Sequence, residues 1–198
     1  KFIQTWEGFV YHMTCRGSRR NTFDKAKNIY EDSPEWLAQN QKSTRNFIRK
    51  FGHFVKHDKY MKPIVPNKYN VGITITASNL QLVDALEPWC DNIYVQETFT
   101  VGRAQDYIEK EQGNTDYDLS TRVHTELGTK VYPTDDVTID INGNTFNNQD
   151  FMYIQQLSEI LDEQGEVGNF QLGNLDITVN KLKTYTKDLI KINTPYNT

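Results

Sequence analysis

The chain has 198 residues, 37% hydrophobic and 24% charged, with six prolines and no low-complexity run; this excludes wholesale disorder and allows one domain or two small ones. No apolar run approaches the roughly 20 residues of a membrane-spanning helix, so no span is expected. The formal net charge of −4 conceals a split, because residues 1–68 carry 14 Lys/Arg against 6 Asp/Glu and residues 69–198 carry 8 against 20.

In chain order, Phe9–Cys15 is aromatic and β-branched and reads as a strand, followed by the breaker Arg16-Gly17-Ser18 and the pair Arg19-Arg20. A short helix is expected near Asp24–Tyr30. Ser33 as N-cap, Pro34 at the first helical position, Glu35 in the first turn and Gly52 at the end define an amphipathic helix over 34–51. On a helical wheel Trp36, Phe47, Ile48 and Phe51 share one side and Lys42, Arg45 and Arg49 lie opposite, a buried face backed by a positive one. Phe54 to Lys68, with Pro63 and Pro66, reads as a linker or an arm over a surface.

Beyond it, Tyr69–Ala77 alternates as a strand, Asn79 caps a helix Leu80–Glu87 that Pro88 stops, and Asn92–Val101 alternates again. This strand–helix–strand unit fits a parallel crossover or an antiparallel pair equally. One or two helical turns are expected over Ala104–Glu111, a polar loop over Gly113–Asp118, and extended chain over Val123–Tyr132. Asn142-Gly143 between Val137–Ile141 and Thr145–Phe146 is a hairpin signal, since a type I′ turn needs positive φ at both central residues. A helix from Asn148 or Gln149 to about Glu163 ends at Gly165. Phe170–Val179 reads as strand with a turn at Gly173-Asn174, and Leu182–Ile192 as a last helix. The fold class is α+β, a mixed sheet with a strand–helix–strand unit, a β-hairpin and an N-terminal amphipathic helix. A basic strand–helix segment with its arm (1–68) and an acidic α+β portion (69–198) are expected to form one unit.

Several residue patterns invite chemistry. His12-x-Thr14 is the kind of element found in two-histidine phosphodiesterases and some ADP-ribosyl transferase folds, but a second copy is missing because His124-Thr125 lacks the spacer. His53 and His57 have i,i+4 spacing, with Asp58 as a third donor, yet Gly52 ends the helix before them. Asp116-x-Asp118 resembles a metal-holding pair of glycosyltransferases in pattern alone. Asp140-x-Asn142-Gly143-Asn144 has its glycine at the wrong place for a calcium loop. No phosphate-cradling glycine motif, HExxH, nucleophile elbow or CxxC pair is present. Neither a metal nor a cofactor is expected.

The basic residues Arg16, Arg19, Arg20, Lys42, Arg45, Arg49, Lys56 and Lys59 are the candidate partner or polyanion contacts. A pI near 5.6 speaks against a dedicated nucleic-acid domain. The leading expectation is a non-enzymatic assembly subunit, a virion component among the options, docking through complementary basic and acidic surfaces on other subunits or copies of itself. Nucleic-acid binding through the basic face of the 34–51 helix is the alternative, and a nucleotide or nucleotide-sugar transferase the third reading. Cys15 and Cys90 suit reduced, buried thiols, and no Asn-x-Ser/Thr site is present, which favours an intracellular or virion setting over secretion. The initial Lys1 suggests a processed chain or an excerpt.

Overall fold

Ser33 sits where its side chain can accept the orphan N–H of Trp36 (3.3 Å), and Pro34, which has no N–H to lose, opens the helix behind it. A computed structural model describes residues 22–24, 29–77, 79–95, 98–124 and 135–183. By its internal contacts the chain divides into two units, residues 1–43 and 44–198.

In the first unit β1 (Thr22–Asp24) and β2 (Ile29–Glu31) pair antiparallel, Phe23 opposite Tyr30. The short helix expected near Asp24–Tyr30 is therefore replaced at both ends by strand, the state aromatic and β-branched residues favour. The strand expected over Phe9–Cys15, with His12 and Thr14, lies outside the described residues. Helix α1 (Pro34–Phe51) begins in this unit and ends in the second at Gly52, whose φ of 75° is the left-handed C-terminal geometry glycine tolerates.

The second unit is built on a six-stranded mixed sheet. After the two-residue strands β3 (Lys56–His57) and β4 (Pro63–Ile64), which pair only with each other, come β5 (Val71–Thr76), α2 (Leu80–Leu86), β6 (Asn92–Val95), α3 (Thr98–Gln112) and β7 (Val123–His124). They are followed by β8 (Val137–Asn142), α4 (Asn148–Gln155), α5 (Leu157–Gln164), β9 (Gly168–Leu172) and β10 (Leu175–Val179). The sheet order is β7-β6-β5-β8-β10-β9. The first four strands are parallel, so the 70–95 unit is a parallel βαβ, and the β9–β10 hairpin adds the antiparallel edge.

The register makes the sheet two-faced, because side chains at paired positions share a face. Val123, Ile93, Ile73, Ile139, Ile177 and Phe170 form one row across all six strands. The adjacent row on the other face is His124, Tyr94, Thr74, Asp140, Asp176 and Gln171. Buried apolar residues of every helix from α1 to α5 join the apolar strand residues in one cluster, from Ile48 and Val83 to Ile108, Ile154 and Leu161. The helices thus cover the apolar face.

Three local expectations are corrected. Strand β6 stops at Val95 and a helix takes over at Thr98, so the β-branched Thr98, Thr100 and Val101 are helical; tertiary context overrides propensity there. The Asn142-Gly143 turn makes no hairpin and passes β8 into α4, whose capping box is Asn147 with Asp150. The turn expected at Gly173-Asn174 does form and joins β9 to β10 as a hairpin, with Gly173 at φ 61°, as the first central residue of a type II′ turn requires. The helix expected from 148 to 163 is broken at Gln156 into α4 and α5, and Gly165 ends the second with φ 68°. Most of the final helix expected over Leu182–Ile192, and Val123–Tyr132 beyond His124, fall outside the described residues.

Candidate functional site

Two of the basic residues nominated from the sequence are used inside the molecule. Arg49 is 2% exposed and points at Glu87, itself fully buried, with Nη2 donating to Oε2 at 2.6 Å. Arg122 Nε donates to the other oxygen at 2.8 Å, and the Tyr107 hydroxyl donates at 2.9 Å. Arg45 donates to Glu111 (2.8 Å) and to the Tyr107 hydroxyl (2.6 Å), and Arg49 also reaches Glu111 (2.9 Å). The wheel set Lys42, Arg45 and Arg49 against solvent; Arg45 and Arg49 instead turn toward α2 and α3, because Glu87 needs guanidinium partners to be buried as an anion. Burial alone would raise the Glu87 pKa, but the hydrogen bonds and charge of Arg49, with Arg122, outweigh it and hold the carboxyl below its ordinary value. Part of the sequence's charge split is thus internal complementarity, extended by Lys56–Glu159 (2.5 Å) and Lys68–Asp91 (3.0 Å).

What remains outward is an arm. Between β3 and β4 the chain turns through Asp58–Lys62, where the Asp58 carboxylate accepts the N–H groups of Tyr60 (2.8 Å) and Lys62 (2.9 Å). Met61, at φ 62°, is a non-glycine residue in left-handed backbone, a conformation costing about 1 kcal/mol. Its side chain is nevertheless exposed, and Val55, Tyr60, Met61 and Val65 are between 51% and 73% accessible. Lys59 Nζ lies 5.0 Å from the Tyr60 ring centroid. The base is fixed by the edge-on packing of Phe54 on Trp89 (4.9 Å) and by the Lys56–Glu159 pair. The expected arm is therefore a hairpin with an apolar tip, and it carries the nominated Lys56 and Lys59.

The other nominated groups scatter. Lys42 is half-exposed, and Arg16, Arg19 and Arg20 lie outside the described residues. His53 is 6% exposed and engages the Phe54 carbonyl, with its ring near Phe47 and Phe51, whereas His57 is exposed in β3. Asp118 caps the turn at Leu119–Thr121 by accepting from Ser120, and Asp116 is exposed. No helix among the described residues is long and apolar enough to cross a membrane.

Sequence reasoning missed a second ionisable chain. Asp135 precedes β8 at 5% exposure; its Oδ1 accepts from the Asn92 amide (2.7 Å), and Asn92 meets His124 Nε2 (3.0 Å), whose ring stacks on Tyr94 at 4.6 Å. The other Asp135 oxygen is buried without a hydrogen-bond partner among the described residues. Desolvation, then the nearby charges of Asp91 and Asp136, raise its pKa despite the Asn92 bond. A raised carboxyl stabilises the fold fully below the ordinary carboxylate value, and that contribution is lost as pH rises through the folded pKa. Asp135→Asn keeps the acceptor for Asn92 and removes the buried charge, so its melting temperature is expected to exceed the native value at neutral pH and the gap to close toward about pH 4, read from thermal melts across that range.

Comparison with family models, curated proteins and solved structures gives no match.

Proposed function

We propose that this chain is a non-enzymatic assembly subunit whose 54–65 hairpin docks on the acidic surface of a neighbouring copy. The observation that carries the reading is the tip: Tyr60 and Met61 are 70% and 72% exposed, at a strained turn, beside Lys59 and Lys62. Apolar side chains held out on an anchored hairpin gain by burial against a partner, while the lysines choose the sign of that partner. The surface it fits is α3 and the loop after it, where the exposed Asp106, Glu109, Asp116 and Asp118 outnumber the exposed Arg103 and Lys110. Hairpin to helix is a heterologous contact, which builds rings or filaments. Polyanion binding by the α1 face is less well supported, since two of its three cations are committed to Glu87 and Glu111.

Light scattering on the full chain at low salt is expected to show assemblies larger than those at high salt. Met61→Gly is expected to stabilise the chain by about 0.5–1 kcal/mol through relief of the left-handed backbone and, with Tyr60→Ser, to disperse the assemblies. Lys59→Glu/Lys62→Glu and Glu109→Lys/Asp116→Lys should each fail to assemble alone and assemble when mixed. Equal masses at every salt concentration, or a mixture that stays dispersed, would overturn the reading.

A further inference from the structure

We propose that β9 is a pairing edge through which two copies of this chain join their sheets about a two-fold axis at Phe170. This surface is separate from the hairpin and does not rest on the docking reading above. Strand β9 has β10 on one side and, among the described residues, no strand on the other. Its sequence, Gly-Asn-Phe-Gln-Leu, holds none of the charges or prolines that keep edge strands from pairing.

The register decides which occupant fits. Leu172 and Leu175 flank a two-residue turn and so exchange hydrogen bonds; the pattern alternates, making Phe170–Ile177 a bonded pair as well. The N–H and C=O of Asn169 and Gln171 therefore point away from β10, at the free edge. The neighbouring strand agrees: Asn180 N–H donates to the Asp136 carbonyl (2.8 Å) in the register of the β10–β8 pair, so the alternation makes Asp176 and Thr178 the residues of β10 that bond toward β8. An antiparallel copy centred on Phe170 places Asn169 opposite the partner's Gln171 and Gln171 opposite the partner's Asn169. All four outward backbone groups are then used in two bonded pairs, and the carboxamides meet on the polar face. Phe170 meets the partner's Phe170 in a non-bonded pair, the closer kind, and extends the apolar face, against which Phe170 and Leu172 are already packed. A charged peptide would find no complementary charge on the strand, whereas a second copy matches it residue for residue. A five-residue seam makes a weak, concentration-dependent dimer, and its uncharged contacts make it persist at high salt.

The test is light scattering on the full chain at high salt over the micromolar range, where a monomer–dimer equilibrium is expected. Asn169→Lys/Gln171→Lys places like charges opposite each other and should give a monomer with an unchanged circular dichroism spectrum, and Asn169→Glu/Gln171→Lys should restore the dimer. Under mild oxidation Phe170→Cys should cross-link to a covalent dimer, because the Cα atoms of a non-bonded pair lie about 4.5 Å apart, within disulfide reach, whereas Asn169→Cys should not. A high-salt monomer at every concentration, a dimer that survives the paired lysines, or equal cross-linking by the two cysteine variants would overturn the proposal. Loss of salt-sensitive assembly with the high-salt dimer intact would remove the hairpin reading alone.

Discussion

Glu87→Ala is expected to destabilise the protein by about 3–5 kcal/mol, the cost of leaving buried guanidinium groups without their carboxylate. Arg49, fully buried as a side chain, and Arg122, 9% exposed, would both lose their bonds to it, and the Tyr107 hydroxyl its acceptor. Urea denaturation midpoints read the effect directly. The double variant Arg49→Met/Glu87→Met should lose less than the two single losses added, because Arg49 is then not stranded without its carboxylate, although Arg122 still loses its bond to Glu87. Additive losses would mean that the network is not coupled. The pH dependence has a definite sign: with the Glu87 pKa held low, its stabilisation is present above the ordinary carboxylate range and is lost as pH falls through the folded value. Asp135 acts in the opposite sense, so the native stability profile contains both a falling and a rising contribution.

Gly143→Ala is the second large effect, expected to cost about 3 kcal/mol. A Cβ built on Gly143 would stand 2.2 Å from the Ala77 carbonyl oxygen and 3.0 Å from its carbon. Both are backbone atoms, so no side chain can rotate out of the way. The Gly143 N–H donates to Thr76 O at 2.8 Å, and Ala77 is itself at φ 51°, which leaves little room for either loop to shift. These loops leave the carboxyl ends of β5 and β8, the place where the strand order of the parallel part reverses. A thermal melt of Gly143→Ala unchanged from native would show that the close approach is not required.

Local signals carried well from sequence to structure. The Ser33-Pro34 start and Gly52 end of α1, the Asn79 cap of α2 and the Gly165 end of α5 each depend on a residue and its immediate neighbours. At Asn142-Gly143 the glycine serves to let two loops 66 positions apart touch rather than to turn a hairpin, a contact that no local pattern encodes. The direction of Arg45 and Arg49 is not legible because a helical wheel ranks polarity and cannot see acids 66 and 38 positions away in the chain. Asp135 was hidden for the same reason, its environment being set by Asn92 on another strand.

The place where the charge changes sign, between Lys68 and Tyr69, is consequently a poor place to divide the protein. Arg45, Arg49, Lys56 and Lys68 stand on one side of it and Glu87, Glu111, Glu159 and Asp91 on the other. Severed there, the acidic piece would keep a buried carboxylate with Arg122 as its remaining bonded guanidinium, and residues 44–68 would keep cations without the acids they pair with. Residues 44–68 and the acidic piece would behave as ligands of each other, each one a condition of the other's folding.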